Sequence, residues 1–89
     1  MTNLPNLKQL LLHGNRIKRI PKHISHLTSL ETLRLSLNFL TEIPEVVFSL
    51  PKLTDFVASY NKLSKIHITM DLIEAPLTHL NLEENDLKM

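Results

Sequence analysis

Internal repetition constrains this chain more than any other feature. Four segments starting at Leu7, Leu30, Leu53 and Leu77 read LKQLLLHGNRI, LETLRLSLNFL, LTDFVASYNKL and LTHLNLEENDL, sharing the pattern L-x-x-L-x-L-x-x-N-x-L with Phe56 and Ala58 as variants. Their starts are spaced 23, 23 and 24 residues apart. A second pattern follows the first two copies, Ile20-Pro21 to Ile24 to Leu27 and Ile43-Pro44 to Val47 to Leu50. The third tail keeps Ile66, Met70 and Ile73, but it has His67 in place of proline and one extra residue between Asp71 and Pro76, so a helical or bulged outer side is expected there. A period of roughly 20–50 residues implies stacked units, each burying its apolar face against its neighbours.

Elementary geometry assigns the positions of each unit. Alternate residues of a strand point to one face, so Leu10 and Leu12, Leu33 and Leu35, and Leu80 and Leu82 are expected to face inward. Phe56 and Ala58 fill the same slots as a large and a small residue, which compensates volume. Ile17, Leu40, Leu63 and Leu87 supply a third inner column. Asn15, Asn38, Asn61 and Asn85 stand where the chain leaves each strand. An amide there can donate to and accept from backbone groups that the turn leaves unpaired, so the four are read as a structural asparagine ladder. Pro21 and Pro44 fix the backbone where the chain crosses to the outer side.

These motifs cover essentially the whole chain and resemble the leucine-rich repeat family. The Asn-x-Leu-x-x-Ile-Pro variant is similar to the intracellular Ras-group repeats of Ras suppressor and scribble-like proteins. The resemblance implies an α/β repeat solenoid, a leucine-rich-repeat horseshoe segment. A short parallel sheet would form its concave face, with loop, 3-10 turn or short helix on the convex face. It also implies a single array over residues 1–89: residues 1–6 end a preceding repeat, residues 7–29, 30–52 and 53–76 are repeats, and residues 77–89 are an incomplete last one.

Leu4 precedes Leu7 as Leu27 precedes Leu30, and the fourth copy stops after Leu87 without a convex tail. Neither end shows a polar cap of the kind solenoids use, so a fragment of a longer array is expected, with self-association through uncapped ends as the alternative.

Composition narrows the function classes. The formal net charge is +1, so no strong field draws nucleic acid or an acidic membrane. There is no cysteine, hence no disulfide framework, thiolate metal site or cysteine nucleophile, and a reducing, cytoplasmic setting is expected. No apolar segment is long enough to span a bilayer, and no Asn-x-Ser/Thr sequon is present. Charge is uneven along the array: Lys8, Arg16, Lys18, Arg19 and Lys22 precede the first acidic residue, Glu31, while Asp71, Glu74, Glu83, Glu84 and Asp86 lie toward the other end. These are read as solvated edges, with head-to-tail contact or the orienting of a polar partner as the alternative.

The outward positions form rows across adjacent strands. Gln9, Thr32, Asp55 and His79 make one row; Leu11, Arg34, Val57 and Asn81 a second; His13, Ser36, Ser59 and Glu83 a third; Gly14, Leu37, Tyr60 and Glu84 a fourth. Because the family's usual partner surface is the concave face, the resemblance points to Arg34, Leu37, Phe39, Asp55, Val57, Tyr60 and His79 as partner-binding residues. Leu37, Phe39 and Tyr60 are expected near one another, flanked by Arg34 and Asp55, with the aromatic and arginine chemistry of interface hot spots. The alternative is that Phe39 and Tyr60 only cover the edge of the core.

No catalytic or metal constellation emerges from the five histidines. His13 and His79 lie three strand spacings apart, roughly 14 Å, too far to share an ion. His23 and His26 lack a third ligand at a recognisable offset, and Ser59 lies too far along its strand to complete a set with Asp55 and His79. Gly14 is the single glycine, so there is no phosphate loop. The expected function is protein binding without a cofactor, metal or enzymatic activity, in signalling or scaffolding. The alternative is a regulatory segment of a larger kinase, phosphatase, cyclase or GTPase whose catalysis lies outside this chain.

Overall fold

The computed structural model describes residues 6–64 and 74–85. Four three-residue strands, β1 (Gln9–Leu11), β2 (Thr32–Arg34), β3 (Asp55–Val57) and β4 (His79–Asn81), form one parallel sheet in the order β1-β2-β3-β4. The register pairs Gln9 with Thr32, Thr32 with Asp55 and Asp55 with His79, so equivalent repeat positions lie side by side. Parallel strands need a long crossover, and the first two repeats each supply one on the outer side.

Two crossovers contain 3-10 helices, η1 (Lys22–His26) and η2 (Glu45–Ser49), each preceded by proline in an extended conformation, Pro21 at φ −67° and Pro44 at φ −65°. The three-residue spacing of the tails explains why the turn is tight. The N–H of Ile24 donates to Pro21, that of Leu27 to Ile24 and that of Leu30 to Leu27, each across three residues. Val47, Leu50 and Leu53 repeat this pattern on Pro44, Val47 and Leu50. In a 3-10 helix residues three apart eclipse, which places Ile24 and Leu27, or Val47 and Leu50, on the buried side. The expected helix or bulge of the third tail, with Ile66, His67, Met70, Asp71 and Ile73, lies outside the described residues, as do Leu4, Asp86 and Leu87.

The core runs between sheet and crossovers. Leu33, Leu35, Leu40, Phe56, Ala58 and Leu63 are buried, as are Leu27, Leu30, Val47, Leu50 and Leu53. The inward positions of the outer strands differ: Leu10, Leu12 and Leu82 are half-buried and Leu80 is 44% exposed, because among the described residues β1 and β4 each have a strand on one side alone. Phe48, outside the repeat pattern, is buried and meets Phe56 edge-to-face at 5.9 Å and 89°. Its counterpart in the first crossover, Ser25, is exposed. The Phe48 carbonyl accepts the N–H groups of Glu74 and Ala75, tying the next crossover to the same place.

Candidate interaction surface

The asparagine side chains set the edge of the sheet. Asn38 Oδ1 accepts the Ile17 N–H at 3.1 Å, and Asn38 Nδ2 donates to the carbonyls of Leu12, Leu35 and Ser36. Asn61 accepts from Leu40 and donates to Leu35, Ala58 and Ser59, while Asn85 accepts from Leu63 and donates to Ala58, Leu82 and Glu83. Each amide thus joins its own turn to the preceding repeat. Asn15 donates to Leu12 and His13 within its own turn and is exposed.

One residue before each asparagine the backbone is left-handed: φ is 72° at Gly14, 60° at Leu37, 57° at Tyr60 and 57° at Glu84. Glycine meets this requirement without a Cβ penalty, whereas a leucine or tyrosine there costs about 1–2 kcal/mol. The N–H groups of Gly14, Leu37 and Tyr60 continue the inter-repeat ladder, donating to Ser36, Ser59 and Glu83. Leu37 and Tyr60 therefore occupy adjacent turns, about 4.8 Å apart along the sheet, with exposures of 59% and 56%.

On the strands, Arg34 reaches diagonally to Asp55, its guanidinium 2.8 Å from Oδ2. The other oxygen, Oδ1, is buried without a hydrogen-bond partner among the described residues. Val57 is half-buried beside Arg34, and His79 is exposed beside Asp55 on β4. Ser36 and Ser59 share a 2.9 Å hydroxyl hydrogen bond, which directs Ser59 toward β2 and away from His79.

Phe39 is placed differently from Leu37 and Tyr60. It lies beyond the asparagine, its N–H donating to Ile17, and the residue is 43% exposed with the Lys62 ammonium 5.8 Å from the ring centre. Sequence reasoning grouped Phe39 with the strand edge and missed its cationic neighbours. Counting one and three positions past each asparagine in successive repeats would have found them, since Phe39 and Lys62 fall one position past and Lys18 and Thr41 three. The rings of His23 and His26 stand edge-to-face at 5.6 Å on the outer side. Among the described residues no three His, Cys, Asp or Glu side chains form a group able to hold a metal ion, and no helix is long and apolar enough to cross a membrane.

Parallel strands at one repeat spacing, proline-led crossovers and amides bridging consecutive turns define a repeat solenoid. Residues 5–47 match the family model described as leucine rich repeats in two copies. Leucine-rich repeat-containing protein 58 of Xenopus tropicalis is 41% identical over 80 residues, covering 90% of this chain and 23% of that protein. Toll-like receptor 10 of Bos taurus is 51% identical over 39 residues, covering 44% of this chain and 5% of the receptor. A probable serine/threonine-protein kinase of Dictyostelium discoideum is 36% identical over 64 residues, covering 71% of this chain and 5% of the kinase. The chain belongs to the leucine-rich repeat family, and it spans less than a quarter of the length of these curated relatives.

Proposed function

We propose that this chain is a protein-interaction module that recognises a partner protein through its concave face and the adjoining strand edge, in cytoplasmic signalling or scaffolding. The observation that carries this reading is the pair Leu37 and Tyr60, two large side chains held outward on left-handed backbone that glycine would adopt at lower cost. Neither core packing nor the turn itself calls for a large side chain there, since Gly14 makes the same turn in the first repeat. Beside them, Arg34 is oriented by Asp55, and His79 and Val57 complete the surface. A rigid surface of this kind binds with little ordering cost, and aromatic and arginine anchors contribute most of the affinity. This reading involves recognition without catalysis, cofactor or metal.

A photo-crosslinking residue at position 57, compared with one at position 45 on the outer side, tests the proposal in the full-length protein in cells. Discrete protein adducts are expected from position 57, and they are expected to disappear in the Arg34→Ala/Tyr60→Ala variant while its melting temperature holds. Adducts unaffected by that double change would remove the concave-edge proposal.

The second reading, a regulatory segment of a larger signalling enzyme, is favoured by the similarity to the Dictyostelium kinase. In that case the same surface would contact a catalytic domain of its own polypeptide, and position 57 would give intramolecular adducts.

A further inference from the structure

Three repeats together build a groove on the side of the solenoid that the concave-face reading does not use. Lys18 and Arg19 come from the first repeat, Phe39 and Thr41 from the second and Lys62 from the third, lining an open hollow of about 460 Å3. We infer that this groove is a separate binding site for an extended acidic segment of a partner protein, with carboxylates set on either side of an apolar residue. The inference rests on the reading of the chain as a protein-binding module only in that the occupant is a polypeptide.

Charge is the first argument. The single ion pair among the described residues is Arg34–Asp55, so no described carboxylate neutralises Lys18, Arg19 or Lys62. Geometry is the second. The Lys62 ammonium lies within cation–π reach of Phe39, which holds a charge beside an exposed apolar ring. The groove therefore offers an apolar floor between cations, and the cations from the first and third repeats stand two strand spacings apart, on the order of 10 Å. In the extended polyproline-II conformation, with three residues per turn, side chains three residues apart lie on one side about 9 Å from each other. The backbone is already paired, Phe39 N–H to Ile17 and Lys62 N–H to Leu40, so recognition falls to side chains rather than to addition of a strand.

A polyanion fits less well. Single-stranded nucleic acid is held by a continuous basic groove with successive aromatic platforms. Here there is one exposed ring, and the track is interrupted where Glu42 joins Arg19 and Lys22 around the adjoining hollow.

The test uses the whole chain and a fluorescein-labelled nonapeptide, (Glu-Ser-Leu)3, followed by anisotropy at two salt concentrations and by amide chemical-shift mapping. Binding that weakens with salt is expected, with shifts centred on Lys18, Arg19, Phe39, Thr41 and Lys62. Lys62→Glu should weaken it roughly tenfold or more, the loss of one charge-assisted contact, and Phe39→Ala by about threefold through lost apolar contact. Lys52→Glu, an equal change in net charge on the exposed outer side, should leave it within about twofold. Equal binding of (Gln-Ser-Leu)3, or tighter binding of a nine-nucleotide oligothymidylate, would overturn the acidic-peptide assignment. Shifts confined to Thr32, Asp55 and Val57 would move the peptide to the concave face, overturning the groove while leaving the concave-face reading standing. Loss of the position-57 adducts with groove binding retained would do the reverse.

Discussion

Asn15 and Asn61 occupy the same place in their repeats, yet the two amides live in different surroundings. Asn61 is buried and joins four backbone groups, two of them in the preceding repeat, whereas Asn15 is exposed and, among the described residues, bonds only within its own turn. The leucines follow suit: Leu33 on β2 is fully buried, and Leu80, its equivalent on β4, is 44% exposed. Identical motifs differ because, in a stack, burial belongs to the interface between repeats and not to the repeat itself. In this 89-residue segment taken by itself, stability should therefore be concentrated around β2 and β3.

The sharpest test of that contrast is truncation of equivalent leucines. Leu33→Ala should cost about 3–5 kcal/mol in urea unfolding, and Leu80→Ala about 1–2 kcal/mol, since the second site is already open to water. Equal losses would mean that both leucines are buried to the same extent in solution. Asparagine substitutions should show a smaller version of the same asymmetry. Asn61→Ala leaves the buried Leu40 N–H without its acceptor and is expected to cost about 2–3 kcal/mol, against less than about 0.5 kcal/mol for Asn15→Ala.

The smallest effect separates backbone from side chain. Gly14→Ala meets no atom within 4 Å, so its cost, about 1 kcal/mol, is that of left-handed backbone alone. Leu37→Gly at the equivalent turn should be neutral or stabilising by up to about 1 kcal/mol. A large destabilisation by Leu37→Gly would show that the leucine supports the core, and would weaken the argument that it is kept for binding.

The repeat spacing made the sheet legible in the sequence, because 23-residue steps leave one register in which leucines stay inward and asparagines align. The outward rows followed from the same arithmetic, placing Asp55 beside His79 and Arg34 beside Val57. Several features were not legible. The left-handed turn was signalled by Gly14 alone, since Leu37, Tyr60 and Glu84 give no local hint of positive φ. Phe48 broke the pattern because its burial depends on Phe56 and on the crossover from the next repeat, neither of which the Val47 and Leu50 spacing encodes. The grouping of Phe39 with Lys18, Arg19 and Lys62 arises across three repeats, where reading one repeat at a time cannot see it.

The backward reach of the asparagines gives the array a direction in time as well as in space. Asn38, Asn61 and Asn85 each complete backbone groups of the repeat made just before them. A ribosome adding about 5–20 residues per second delivers one repeat in roughly one to five seconds, ample for local docking on the millisecond scale. Each repeat would thus be sealed by its successor as it emerges, and the growing chain would carry a single unfinished edge at any moment.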